Sequence, residues 1–70
     1  MSDAEALAVF AEGTPVIFKD GRYTARYPNI NAMIKRREAF GFSYQAELLD
    51  KNKNSVIITS TNKIEVEKND

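Results

Sequence analysis

Asp20-Gly21 stands between two runs of alternating residues, 16–19 and 22–27, and this stretch constrains the fold more than any other. An Asp-Gly pair with such flanks signals a β-hairpin, because a type I′ turn needs positive φ at both central residues. Folding the chain about it sets Lys19 opposite Arg22, Phe18 opposite Tyr23, Ile17 opposite Thr24 and Val16 opposite Ala25. Opposed residues share a face of the sheet. Val16, Phe18, Tyr23, Ala25 and Tyr27 therefore make an apolar face, with Ile17, Lys19, Arg22, Thr24 and Arg26 on the other.

The rest of the chain is read around that hairpin. Residues 2–12 read as a helix: Ser2 or Asp3 caps it, Glu5 completes a capping box, and Gly13 stops it. Its apolar side, Ala4, Leu7, Ala8 and Ala11 with Phe10 at the edge, is mostly alanine, so the segment 1–13 is expected to pack weakly or act as a mobile arm. Residues 28–41 read as a second helix, with Asn29 or Asn31 as cap, Ile30, Met33, Ile34 and Phe40 as its apolar side, and Gly41 as its stop. In that reading Lys35 points outward, Arg36 lies at the margin and Arg37 falls within the apolar stripe. Residues 42–49 alternate cleanly, which predicts a half-buried strand carrying Phe42, Tyr44, Ala46 and Leu48 on one face. The polar run 50–54 predicts a turn that pairs Leu48 with Val56 and Ala46 with Ile58. A second turn at 60–62 pairs Ile58 with Ile64 and Val56 with Val66, and residues 67–70 are expected to fray. The fold class is α+β, in the order α-ββ-α-βββ: a hairpin, a covering helix and a three-strand meander, with a partly closed small barrel as the alternative.

Seventy residues make one domain, 1–70. A chain of this size buries only about 60% of the surface its unfolded form exposes. Cysteine and histidine are both absent, so neither a disulfide nor a thiolate or imidazole zinc site is available to help. The same absence removes the commonest general base and the best thiol nucleophile. The carboxylates have no metal-ligand spacing, and the three glycines make no phosphate-cradling loop. No catalysis, cofactor or metal is expected. The acidic start lacks the basic region of a signal peptide, and no apolar run approaches the roughly 20 residues of a bilayer span. A cytoplasmic location without membrane contact is the expectation.

Ten basic and ten acidic residues cancel, which argues against strong non-specific nucleic-acid binding. The positive charge is nonetheless gathered between residues 19 and 37. Arg22, Thr24 and Arg26 share a hairpin face, with Lys35 and Arg36 on the neighbouring expected helix. Ile57, like Ile17, is expected on the outer face, covered by the N-terminal helix, by a second copy of the chain or by a partner. These features describe a small non-catalytic accessory or inhibitor protein, of a size familiar in phages and mobile elements. It would dock on a protein partner through Arg22, Thr24, Arg26, Lys35, Arg36 and Ile57. The alternative is a small nucleic-acid-binding domain that uses the same cations. A homodimer is a further expectation.

Overall fold

A computed structural model of the chain describes residues 1–67. It contains one α-helix, α1 (Asp3–Glu12), and six strands: β1 (Val16–Asp20), β2 (Tyr23–Tyr27), β3 (Ala32–Glu38), β4 (Gly41–Asp50), β5 (Ser55–Ser60) and β6 (Ile64–Val66). A single 3-10 turn, Thr61–Lys63, links the last two. The strands form two antiparallel three-stranded sheets, ordered β2-β1-β6 and β3-β4-β5. The α+β class with antiparallel sheet stands, in two open sheets instead of one that rolls into a barrel.

α1 begins and ends where its local signals place it. The Glu5 N–H donates to Ser2 Oγ at 3.1 Å and the Ser2 N–H donates to Glu5 Oε1 at 3.5 Å, a complete capping box. The Gly13 N–H donates to the carbonyls of Val9 and Phe10. The buried side differs from expectation, for it is Ala6 and Val9, while Ala4, Leu7, Ala8 and Ala11 are exposed. A helix so rich in alanine is apolar on several sides, and docking chooses among them. Its first residues make hydrogen bonds to the far part of the chain. The Met1 amino group donates to the carbonyls of Thr61 at 3.1 Å and Ile64 at 3.0 Å, and the Thr61 hydroxyl donates to Asp3 Oδ1 at 2.6 Å.

The first hairpin forms with its pairing moved by two residues. Val16 faces Tyr27, Phe18 faces Ala25 and Asp20 faces Tyr23, so the turn is Gly21-Arg22. Gly21 takes φ +62° and Arg22 keeps a negative φ, the pattern of a type II′ turn with glycine at its first central position. A shift of two leaves every side chain on its expected face, since the period of a strand is two. Phe18 and Tyr23 meet edge to face, with ring centroids 5.9 Å apart.

The expected helix at 28–41 is instead β3 and its turn. Asn31 opens the pairing, its N–H donating to the Glu47 carbonyl at 2.8 Å and its side-chain amide to Glu47 Oε2 at 2.6 Å. The strand then runs from Ala32 opposite Glu47 to Glu38 opposite Gly41. Ile30 is buried, but Phe40, assigned to the same helical stripe, is fully exposed. Lys35-Arg36-Arg37-Glu38 are good helix formers with no alternation of their own, and pairing with the long strand β4 overrides that preference.

β5 is displaced by one residue, which reverses its faces. Asp50 pairs with Ser55 across a four-residue loop, so Leu48 faces Ile57 and Ala46 faces Thr59. In that loop Asp50 Oδ1 accepts from the N–H groups of Asn52 at 3.1 Å and Lys53 at 3.2 Å, and Asn54 turns at φ +51°. Ile57 packs against the core and Thr59 is buried, while Val56 and Ile58 face outward. The expected turn at 60–62 does not fold β6 back onto β5. The 3-10 turn carries β6 across to β1, where Ile64 faces Phe18 and Val66 faces Val16.

One core joins both sheets and the helix: Ala6, Val9, Val16, Phe18, Tyr27, Ile30, Ala46, Leu48 and Ile64. Tyr23, Phe42, Val56, Ile58 and Val66, all expected inside, are exposed. Of the expected tail, Glu67 donates its N–H to the Pro15 carbonyl at 3.1 Å. Residues 68–70 lie outside the described part.

Candidate interface

The expected docking residues fall on different sheets, and the hairpin group is compensated in part. Thr24 and Arg26 lie on the outward face of β2, and Arg22 lies in the turn. β6 brings carboxylates to this face. Lys19 pairs with Glu65 at 3.0 Å and Arg26 pairs with Glu67 just beyond β6, while at the end of β1 Asp20 pairs with Lys63 of the 3-10 turn at 3.3 Å. Of the cations on the hairpin face read from the sequence, Lys19 and Arg26 are thus ion-paired among the described residues, and Arg22 is not. Ile57, which was to complete the docking surface, is turned inward against the core.

Lys35 and Arg36 sit elsewhere, on a ribbon that sequence reasoning missed. β5 covers β4 only from Gln45 to Asp50, so residues 35–44 extend past it as two strands alone. Every residue from 35 to 42 is exposed. One face of the ribbon carries Lys35, Arg37, Phe42 and Tyr44, and the other Arg36, Glu38, Ser43 and Gln45. The Lys35 ammonium stands 4.2 Å from the centre of the Phe42 ring, a cation–π contact that holds both against the ribbon. On the opposite face Arg36 Nε donates to Gln45 Oε1, and the Ser43 hydroxyl donates to Glu38 Oε1 at 2.7 Å.

At the tip, Ala39 and Phe40 form the turn, and the Phe40 ring is fully in solvent. Phe42, 62% exposed, lies two residues further on. Three cations, two open phenyl rings and one hydrogen-bonded carboxylate therefore share one projecting element. No known family model, curated protein or solved structure matches this chain.

Among the described residues no group of carboxylates is placed to hold a metal ion, and no ion pair engages Lys35, Arg36 or Arg37. No helix among them is long and apolar enough to cross a membrane. The ribbon left one trace in the sequence. Gly41, followed at once by the alternation of 42–49, is as good a sign of a strand entry as of a helix stop. Its turn, Ala39-Phe40, contains none of the residues that announce a hairpin.

Proposed function

We propose that this chain is a small non-catalytic docking module, of accessory or inhibitor type, that presents the β3–β4 ribbon to a protein partner. The observation that carries this reading is Phe40, fully exposed at the tip of a two-stranded element and flanked by Arg36, Arg37 and Phe42. Aromatic residues and arginine are the types enriched at the centres of protein interfaces, where a few buried anchors supply most of the affinity. Phe40 buries nothing in the fold, so its whole ring is free to be covered by a partner. The complementary surface is an apolar recess for Phe40 with carboxylates around it for the three cations.

A photo-crosslinking side chain in place of Phe40 tests this in cells that express the chain. One discrete protein adduct is expected. It should be lost with Arg36→Glu and Arg37→Glu, and should be absent when the crosslinker replaces Thr24. Absence of any discrete adduct at position 40 would count against the reading.

A second reading draws on the same ribbon, because the major groove of B-DNA admits a two-stranded β-ribbon and exposed rings stack on single-stranded bases. It requires binding to oligonucleotides that falls steeply between low and moderate salt and weakens across all sequences in Arg36→Ala and Arg37→Ala. Salt-insensitive behaviour, or no binding at low salt, removes it. The neutral balance of the chain and the ion pairs of its other sheet favour the protein partner.

A further inference from the structure

The two sheets end in four outer strands, β2, β6, β3 and β5. Natural sheets protect such edges with charge, proline, bulges or brevity, because an unpaired row of N–H and C=O groups invites another strand. Three of these edges follow that rule: β2 carries Arg26, β3 carries Lys35-Arg36-Arg37-Glu38, and β6 is three residues long. β5 does not. Its six residues, Ser-Val-Ile-Ile-Thr-Ser, include no charge, no proline and no glycine, and they are rich in β-branched side chains. Val56 and Ile58 point from it to solvent, 51% and 48% exposed.

We propose that β5 is an interface between two copies of this chain, joined by antiparallel pairing of β5 with β5 about a two-fold axis. A two-fold sets each strand against itself, so the edge must tolerate its own charges. The same operation on β3 would bring Lys35, Arg36 and Arg37 against their own kind, whereas β5 has nothing to repel. The formal net charge of zero adds no long-range repulsion between copies. In the register that sets Ile58 against Ile58, Val56 faces Ser60 of the second copy and the two outer faces stay on one side. Val56 and Ile58 of both copies then form one apolar row, continued by Leu49 opposite Val56.

In that register residues 56–60 of each strand pair over about 17 Å, which is short of a standard protein interface, so the contact belongs to the weak, concentration-dependent class. The ribbon lies on the opposite edge of the same sheet and stays open, which keeps this interface independent of the docking role proposed above.

Sedimentation over a range from about 10 μM to about 1 mM tests the interface. The average mass should climb from one chain towards two. Ile58→Lys, which places a lysine beside its own copy, should weaken association by at least about tenfold. Leu49→Lys should leave it in place, because Leu49 shares the outer face but lies on the central strand β4. A single-chain mass throughout overturns the proposal, as does undiminished association of Ile58→Lys. Loss of association in Leu49→Lys also overturns it, since that result means stacking of outer faces. Amide hydrogen exchange on the unsubstituted chain supplies a measurement free of folding effects. β5 amides should slow as concentration rises, and exchange that ignores concentration overturns the edge pairing.

Discussion

Leu48 has no exposed surface and lies on the strand that both neighbours in its sheet share. Truncating it to alanine removes buried methyl groups and leaves a cavity, at a cost of about 2–5 kcal/mol. A domain of this length holds about 0.05–0.15 kcal/mol per residue in total, so Leu48→Ala should leave little of the folded state. Urea unfolding followed by circular dichroism measures the loss, and an unchanged midpoint would contradict the packing described. Tyr27 gives a pH dependence. Burial, then Tyr23 and Asp50, raise its phenol above the ordinary tyrosine value of 10.0. Below pH 10 both folded and unfolded chains keep that proton. Above it the unfolded chain releases the proton first, so stability falls as pH climbs through the folded value. Tyr27→Phe should lack this part of the decline above pH 10. Parallel loss in both proteins would mean that the phenol is not what tilts the curve.

At the scale of elements, the placement of β5 decides which isoleucine carries stability. Ile57 packs on the core and Ile58 faces solvent, although the two are adjacent and chemically identical. Ile57→Ala should therefore cost more than Ile58→Ala, by about 1 kcal/mol or more, since only the first leaves a gap in the core. The order would be inverted in the register that sets Leu48 against Val56, so paired denaturation curves read the register directly. The ribbon shows the opposite economy. Phe40 and Phe42 protrude from paired strands without burying much, so Phe40→Ala should shift the thermal midpoint by no more than other surface changes, within about 0.5 kcal/mol. A large loss of stability would show that the ring packs somewhere, and its docking role would lose its basis.

For the whole molecule, the first residues and the stretch from Thr61 to Val66 are tied into one assembly. β6 pairs with β1, the Met1 amino group reaches Thr61 and Ile64, and Asp3 accepts from Thr61. One core spans helix and both sheets. Such a molecule should unfold in one step, with the helical signal at 222 nm and the near-ultraviolet tyrosine signal vanishing at the same urea concentration. Helical signal that disappears first would make α1 the detachable arm its alanine-rich sequence suggests. The exposed ion pairs Lys19–Glu65 and Lys63–Asp20 contribute little to this balance, about 0–1 kcal/mol each.

By itself the sequence determined what a few neighbouring residues can settle. The capping box and Gly13 set the bounds of α1, and Gly21 with its alternating flanks set the faces of the first hairpin despite a shifted pairing. The clean alternation of β4 marked Ala46 and Leu48 as core. The tertiary structure alone decided β3, the face of β5 and the destination of β6. Lys35-Arg36-Arg37-Glu38 has no period of its own, so its state depends on the strand beside it. Val56-Ile57-Ile58-Thr59 offers apolar residues to either face, and the register with a four-residue loop held by Asp50 places Ile57 and Thr59 inside. β6 finds β1 across most of the described chain, Val16 against Val66. The cationic ribbon followed from the first of these choices and the unguarded edge from the second. Local signals fix a turn or a cap, but which strands pair is settled by the burial they share, and that is a property of the whole chain.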